Sequence, residues 1–316
     1  MPTCLILDDY QNAALGLADW GSLDGVSVST VTEYIGDRKA LVARIAEAEI
    51  LVIMRERTPF PADLLARLPK LKLLITSGMR NASIDLAAAK AQGVTVCGTD
   101  SSPTPPTELT WALILGLARH LPEEVGNIRS GRWQTSIGAD LSGATLGIFG
   151  LGKIGALVAR VGQAFGMNVL AWSPNLTAER AEAAGARLAP SKEALCEAAD
   201  FLTLHLVLSE RSRGIVGEAE LRRMRRSAYL VNTSRAGLVD QVALLRALQE
   251  GWIAGAGLDV FDTEPLPYDS PFRRLPNVLA LPHLGYVSRA NYSRFFTQAV
   301  EDIAAWQAGS PIRQLG

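Results

Sequence analysis

The feature that most constrains the fold is the alternation of short aliphatic runs with amphipathic, helix-like segments. This alternation predicts βαβ units and parallel sheets. A Ser/Pro/Thr-rich stretch, SSPTPPTELT, separates the runs into two sets. The first set comprises residues 4–7, 26–31, 50–54, 73–76 and 94–97, and the second comprises 145–149, 169–172, 201–205, 228–232, 256–260 and 278–281. We therefore predict an α/β protein with two doubly wound parallel-sheet domains.

The C-terminal segment predicts how these domains are arranged along the chain. A length of 316 residues suits two domains of ordinary size. Residues 288–308 have a helical pattern with no strand after them, and the first set of strands has few helices to cover it. We predict a discontinuous, flavodoxin-like domain of residues 1–100 plus 286–316, with a second domain of residues 101–285 inserted in it.

Composition and charge exclude several classes of protein. Hydrophobic residues make up 48% of the chain and charged residues 20%, which excludes a disordered or fibrous chain. A net charge of −1 gives no reason to expect nucleic acid or a membrane surface as a partner. The first apolar run resembles a buried strand and not a signal peptide, so we expect a cytoplasmic protein. The three distant cysteines have no metal-ligand spacing, which predicts reduced thiols and no metal site.

A glycine-rich turn predicts a dinucleotide site in the second domain. The segment TLGIFGLGKIG joins a buried strand to an amphipathic helix through Gly150, Gly152 and Gly155. These spacings permit a tight turn, close approach of a pyrophosphate, and close packing of helix on strand. The free N–H groups of the helix N-terminus favour phosphate binding. A turn without a ligand is the alternative, which the flanking strand and helix disfavour. We predict a Rossmann-type domain for NAD or NADP.

The residue after the next strand bears on coenzyme preference. In NAD-binding chains an acidic residue usually binds the ribose hydroxyls there, and it would repel the extra phosphate of NADP. This chain has Ser173 at that place, and Arg180 follows on the next helix. We predict that NADPH is at least accepted, while the preference between NADH and NADPH stays open.

A proton donor for a carbonyl substrate is expected among the three histidines. His120 ends a long apolar helix and is interpreted as structural. His205 ends a strand and is expected to form a wall of the coenzyme cleft and not to be the acid. His283 follows the last strand at a carboxyl edge, where open α/β sheets bind ligands. It is the candidate acid, with a surface or core histidine as the alternative.

Charged residues follow neighbouring strands of the same set. Arg235 follows the run 228–232, and Glu264 follows the run that contains Asp259. The planar guanidinium of arginine suits a carboxylate and can polarise a carbonyl. A glutamate beside a histidine favours the protonated imidazole. Each charge alone is commonly solvated or paired structurally, but their convergence at the ends of strands in one sheet favours an active site.

Several motifs in order carry a family resemblance. The segments LGIFGLGKIG, LHLVLSERSRGIVG, LVNTSRAGLVD, GLDVFDTEPLPYDSPFRRLPNV and LPHLGY resemble the D-isomer-specific 2-hydroxyacid dehydrogenases, which include phosphoglycerate dehydrogenase and glyoxylate and hydroxypyruvate reductases. The resemblance covers nearly the whole chain. It implies an oxidoreductase that transfers hydride between NAD(P)H and a small 2-oxoacid, with a glyoxylate- or hydroxypyruvate-type reductase favoured.

The resemblance also implies roles for individual residues. Arg235 would bind the substrate carboxylate and carbonyl, His283 would be the acid/base, and Glu264 would be its partner. The residues implied at the coenzyme are Gly150, Gly152, Lys153, Ile154, Gly155, Ser173, His205, Val207, Thr233 and Asp259. Those implied at the substrate, in a substrate domain of residues 1–100 plus 286–316, are Arg55, Met79 and Arg80.

Departures from the family pattern leave the substrate open. Val207 stands where proline is usual, Arg80 replaces a frequent glycine, and Ser173 replaces the acidic ribose ligand. The chain ends at Gly316, too early for the regulatory domain of many phosphoglycerate dehydrogenases, so we expect no such feedback control. The arginines of the predicted pocket favour a substrate with a second polar or anionic group.

Alternative functions and the oligomeric state also remain open. A nucleotide-sensing module of the corepressor type, or a dehydrogenase of formate or an inorganic oxyacid, would keep the coenzyme site. The helix over residues 109–120 has more apolar residues than one core-facing stripe needs. Either it contacts a second subunit, in the homodimer that the resemblance implies, or it is buried between domains.

Overall fold

The computed structural model describes residues 2–316, which form two compact units. One unit contains the residues up to Ser102 and those from Val287 onward, and the other spans Pro103–Tyr286. The strands are β1 (Thr3–Ile6), β2 (Ser27–Thr30), β3 (Ile50–Ile53), β4 (Leu73–Thr76), β5 (Thr95–Gly98), β6 (Thr145–Phe149), β7 (Asn168–Trp172), β8 (Arg187–Leu188), β9 (Phe201–Leu204), β10 (Tyr229–Asn232), β11 (Gly255–Leu258) and β12 (Val278–Ala280).

Helices connect the strands in both units. They are α1 (Arg38–Ile45), α2 (Ala62–Leu65), α3 (Leu86–Ala91), α4 (Thr104–Ala118), α5 (Leu121–Arg129), α6 (Lys153–Ala164), α7 (Ala178–Ala183), α8 (Lys192–Ala198), α9 (Glu218–Arg223), α10 (Gln241–Gln249) and α11 (Arg289–Gln307). Short 3₁₀ turns occur at Ala14–Gly16, Trp20–Ser22, Ala236–Leu238 and Pro271–Arg273.

The first unit has a five-stranded parallel sheet in the order β2-β1-β3-β4-β5, which is the flavodoxin-like order. Its strands β3 and β4 are buried along their whole length and consist almost entirely of aliphatic residues, as strands covered on both faces must be. Helix α11 packs against β4 and buries Phe295, Phe296 and Ile303. The C-terminal helix therefore belongs to the first unit.

The second unit has a seven-stranded parallel sheet in the order β12-β11-β10-β9-β6-β7-β8. Neighbouring residues of one strand belong to different hydrophobic clusters: Phe201 packs in one and Leu202 in the other. Because successive strand residues point to opposite faces, the clusters lie on the two sides of the sheet. The prediction of two doubly wound parallel-sheet domains, one of the Rossmann type, is confirmed.

Local details differ from the predictions. The two-residue strand β8 was not predicted, because so short a run carries no periodic signal. The apolar helix begins earlier than predicted, at Thr104, and ends at Ala118. Trp111, Leu113 and Ile114 of this helix are buried within the second unit. These apolar side chains are therefore covered by their own unit and are not left exposed for a second subunit.

Candidate active site

The predicted site residues of the second unit lie at one edge of its sheet. All the strands are parallel, so their carboxyl ends lie at the same edge. Loops at this edge carry, in chain order, Gly150, Ser173, His205, Arg235, Glu264 and His283. The chain therefore gathers these groups through topology and not through sequence proximity.

His283 and Glu264 form a direct pair at this edge. The Nδ1 atom of His283 lies 2.6 Å from Oε2 of Glu264. The other carboxylate oxygen, Oε1, accepts a hydrogen bond of 2.8 Å from the backbone N–H of Phe261. Both side chains are largely buried. Because Nδ1 is engaged, Nε2 is the ring atom left to exchange a proton with a ligand.

Asp259 anchors the backbone that follows His283. His283 adopts a left-handed φ of 53°, which is unusual for a residue with a side chain. The two carboxylate oxygens of Asp259 accept hydrogen bonds of 2.7 Å from the amides of Leu284 and Gly285. Burial raises the pKa of Asp259 to about 6, although these amides and the nearby imidazole of His283 favour its charged form. Asp259 thus holds the turn that carries the histidine.

Arg235 lies in a tightly bonded turn after β10. The side chain of Asn232 donates a hydrogen bond of 2.9 Å to the carbonyl of Arg235 and accepts one of 3.0 Å from the backbone N–H of Ser234. The hydroxyl of Ser234 donates 2.7 Å to the carbonyl of Leu204 on the neighbouring strand. The guanidinium is half-buried, and its Nη1 donates to the Ser234 carbonyl at 2.7 Å.

Thr233 and Tyr286 complete the surroundings of the pair. The Thr110 hydroxyl donates 2.7 Å to the carbonyl of Pro106 and lies 2.8 Å from the Thr233 hydroxyl. Because the single proton of Thr110 is used, Thr233 is the donor between the two hydroxyls. The ring of Tyr286 meets His283 edge to face at 5.2 Å. Thr110 and Tyr286 were not predicted, because nothing in their local sequence marks them.

His205 lies where a wall of the coenzyme cleft was predicted. Its Nε2 is 3.0 Å from the hydroxyl of Thr203, and its buried Nδ1 has no hydrogen-bond partner among residues 2–316. Burial lowers the pKa of His205 to about 3, so the ring is neutral at physiological pH. This neutrality suits a wall and not a proton donor. Val207, also predicted there, is exposed.

The three glycines of the turn have different physical reasons to be glycine. Gly150 has a φ of 94°, and a Cβ there would lie 2.8 Å from the backbone of His205. A Cβ on Gly155 would lie 2.1 Å from the carbonyl oxygen of Gly150. A Cβ on Gly152 would meet nothing within 4 Å. Since Gly152 is the N-cap of α6 and has no side chain to cap it, this open space faces free N–H groups that suit a pyrophosphate.

The remaining predicted coenzyme residues lie around this turn. Ser173 is half-buried directly after β7. Arg180 on α7 folds back over the same loop, where its Nη1 donates 3.3 Å to the carbonyl of Asn175. Lys153 and Ile154 are the first residues of α6, so their amides are among those that the helix leaves without an acceptor.

The predicted substrate residues of the first unit lie at the carboxyl edge of its own sheet. Arg55 has a left-handed φ of 52°, and its Nε lies 3.8 Å from Oε2 of Glu56. Its guanidinium occupies the space above Gly78, where a Cβ would lie 2.3 Å from Nη1. Met79 and Arg80 follow Gly78 and are exposed. This edge of the first unit therefore carries the guanidinium of Arg55 and the exposed side chains of Met79 and Arg80.

The described residues, 2–316, contain neither a candidate metal-binding cluster nor a candidate membrane-spanning helix. They contain no group of three or more histidine, cysteine or carboxylate side chains placed to hold a metal ion. Across the same range, every helix is too short or too polar to cross a bilayer. The three cysteines are buried and unpaired, and burial raises the pKa of each to about 12.

Comparison with known proteins gives consistent matches. The model of the "D-isomer specific 2-hydroxyacid dehydrogenase, NAD binding domain" matches residues 111–285. A glyoxylate reductase of Korarchaeum cryptofilum is 37% identical over 86% of this chain and 83% of its own. A D-3-phosphoglycerate dehydrogenase of Methanocaldococcus jannaschii is 38% identical over 78% of this chain but only 48% of its own.

A solved structure agrees with these relatives. The crystal structure of a phosphoglycerate oxidoreductase from Vibrio cholerae superposes with a TM-score of 0.94 and 40% identity. The match covers 98% of this chain and all of the other. The resemblance drawn from the motifs is therefore confirmed over both units.

Proposed function

Because the chain belongs to the D-isomer-specific 2-hydroxyacid dehydrogenase family and is an NAD-dependent oxidoreductase, we propose that it reduces small 2-oxoacids of the glyoxylate or hydroxypyruvate type. The observation that carries the proposal is the 2.6 Å pair of His283 and Glu264 at the same sheet edge as Arg235. The glyoxylate reductase relative supports the substrate class, since it matches most of this chain and most of its own length.

The glycine-rich turn fits a nicotinamide coenzyme. Open space at Gly152, next to the uncapped start of α6, suits the pyrophosphate, and the amides of Lys153 and Ile154 would hold it. Thr233 would face the nicotinamide end. When bound, the reduced coenzyme supplies the hydride. Ser173 carries no charge to repel a ribose phosphate, so NADPH should be accepted.

The protein residues supply binding and the proton. A carboxylate of the substrate pairs with the guanidinium of Arg235, whose planar N–H groups can also polarise the neighbouring carbonyl. His283 holds a proton at Nε2 and delivers it to the carbonyl oxygen as that oxygen gains charge. Glu264 receives the Nδ1–H, orients the ring, and stabilises the imidazolium before transfer. Arg55, Met79 and Arg80 stay predicted as further substrate contacts.

The test is loss of reduced-coenzyme absorbance with NADH and NADPH in parallel. Glyoxylate, hydroxypyruvate, pyruvate, phenylpyruvate and oxaloacetate are the reductive substrates, and D-3-phosphoglycerate is tested for oxidation because of the relatives of that name. Turnover should be fastest with glyoxylate or hydroxypyruvate. His283→Gln should lower turnover by about 10²-fold or more, while His120→Gln should leave it unchanged. Full activity of His283→Gln would contradict the proposed acid.

We also propose a homodimer, formed through α5 and not through the apolar helix α4. Leu121, Val125 and Ile128 project from α5 at helical spacing and are exposed. The segment after α5 continues this surface with the exposed side chains of Trp133 and Ile137. Contiguous apolar surface of this kind is typical of subunit contacts.

A further inference from the structure

Both arginines assigned to the substrate have their backbone held by a buried asparagine. In the second unit, Nδ2 of Asn232 donates 2.9 Å to the carbonyl of Arg235. In the first unit, Nδ2 of Asn81 donates 2.7 Å to the carbonyl of Arg55. The two asparagines are 0% and 8% exposed, respectively. The same device therefore occurs twice, in two units with different sequences and different sheets.

Each asparagine also closes a turn with its own carbonyl oxygen. Oδ1 of Asn232 accepts from the amide of Ser234 at 3.0 Å, and Oδ1 of Asn81 accepts from the amide of Ser83 at 2.9 Å. A side-chain oxygen bonded two residues ahead is an Asx turn. The amide group thus links a turn on one side to an arginine carbonyl on the other.

Asn81 has no capacity left for a ligand. Its second Nδ2 hydrogen goes to the hydroxyl of Thr76 at 2.9 Å, and its Oδ1 accepts a second bond of 2.6 Å from the Ser83 hydroxyl. An amide side chain offers two donors and two acceptor positions, so all four are used within the protein. Asn81 can therefore influence a substrate only through the groups that it holds.

The backbone of Arg55 needs such support. Its left-handed φ of 52° is a strained conformation for a residue with a side chain. The backbone N–H of Arg55 donates a hydrogen bond of 2.9 Å to the hydroxyl of Ser77, and Asn81 donates one to the Arg55 carbonyl, so both backbone polar groups are held in place. With both peptide groups bonded, the guanidinium is directed over Gly78.

We propose that Asn81 and Asn232 are positioning residues for the reaction, each acting through the arginine whose carbonyl it holds. The inference rests on the proposed function, in which Arg55 and Arg235 bind the 2-oxoacid. Displacement of a binding group by about 1 Å can cost 10²-fold in rate, so loss of one such bond should be measurable in kcat/KM.

The test uses Asn81→Asp and Asn232→Asp, which keep the side-chain shape but replace the donating NH₂ with a carboxylate oxygen facing the arginine carbonyl. Each should lower kcat/KM for the 2-oxoacid by about tenfold or more. For Asn81→Asp the KM for the coenzyme should stay within about twofold, since Asn81 belongs to the unit that lacks the glycine-rich turn. Asn277→Asp is the matched control, because its Nδ2 donates 3.1 Å to the carbonyl of Leu248, away from either arginine.

Double variants that combine the asparagine changes with Arg55→Gln or Arg235→Gln show whether each asparagine lowers kcat/KM through its own arginine. In the matched pairs, Asn81 with Arg55 and Asn232 with Arg235, the asparagine change should add less than about twofold to the loss caused by the arginine change. In the crossed pairs the losses should multiply. Multiplying losses in the matched pairs, or asparagine variants with parental kcat/KM, would overturn the inference.

Two further results keep the test decisive. A buried carboxylate can prevent folding, so Asn81→Ala and Asn232→Ala are taken through the same cycles, with thermal unfolding and coenzyme binding measured for every variant. If Arg235→Gln retains full kcat/KM, the proposed function fails and this inference fails with it. If Arg235→Gln is impaired while both Asn232 variants are fully active, only the inference fails.

Discussion

At the scale of single residues, burial gives two titratable groups of the sheet edge different protonation states. Desolvation raises the pKa of Asp259 to about 6 and lowers the pKa of His205 to about 3. In both cases burial disfavours the charged form, but the acid and the base respond in opposite directions. His283, in contrast, has the Glu264 carboxylate 2.6 Å from its Nδ1, which leaves Nε2 as the ring atom that can exchange a proton with a ligand. Two histidines at the same sheet edge therefore differ in their surroundings: His205 is neutral and suits a wall, whereas His283 is the proposed proton donor.

The low pKa of His205 predicts a pH-dependent stability. The folded protein keeps this ring neutral, whereas the unfolded chain protonates it below about pH 6.5. The stabilisation is therefore fully present above 6.5 and is lost as the pH falls from 6.5 toward 3. Replacement His205→Gln removes the titration, so thermal unfolding measured from pH 4 to 8 should depend less on pH than in the parent. His120→Gln is the control, and parallel curves for parent and His205→Gln would refute the argument.

Ser173 predicts a change of coenzyme preference. Ser173→Asp places a carboxylate where the ribose is expected, and it should repel the extra phosphate of NADPH. The ratio of kcat/KM for NADPH to that for NADH should fall by about tenfold or more. Arg180→Gln is measured beside it, because Arg180 folds over the same loop. An unchanged ratio in Ser173→Asp with a lower ratio in Arg180→Gln would assign the preference to the arginine.

At the scale of elements, the sequence predicts what periodicity and glycine spacing encode. Every predicted aliphatic run corresponds to a strand, and the signal is clearest in β3 and β4, which are aliphatic and buried on both faces. The strand β8 lacks such a signal, since it has two residues at the sheet edge. The bonds of Asn81 and Asn232 were also beyond prediction, because they depend on turns that tertiary contacts close.

The glycine turn predicts different outcomes for two alanine substitutions. Gly155→Ala would place a Cβ 2.1 Å from a backbone oxygen, so α6 must shift and the protein should lose stability. Gly152→Ala meets open space and should fold normally, but its methyl group would occupy the place proposed for the pyrophosphate. Thermal unfolding and coenzyme binding should therefore separate the two variants. Parental coenzyme affinity in Gly152→Ala would contradict the proposed phosphate site.

At the scale of the whole molecule, α5 and the segment after it form a firmly built surface. Oε1 of Glu124 accepts hydrogen bonds from the amides of Thr135 and Ser136 at 3.1 and 2.8 Å, and from the Ser136 hydroxyl at 2.6 Å. The Ser136 hydroxyl is the main cause that lowers the pKa of Glu124 to about 2, so the carboxylate stays charged. These bonds hold Ile137, which is 95% exposed, in an ordered position. An ordered apolar surface suits a subunit contact better than a flexible one does, because less conformational entropy is lost when it docks.

The proposed homodimer follows from this surface and can be tested by mass. The parent should sediment at about twice the 33.8 kDa of the chain. Val125→Glu combined with Ile128→Glu places charges in the apolar face of α5 and should give a monomer, because an unpaired charge is costly to bury. Val242→Glu is the matched control, since Val242 on α10 is 79% exposed but lies outside this surface. A monomeric parent at micromolar concentration, or a double variant that stays dimeric, would contradict the assignment of α5 as the subunit contact.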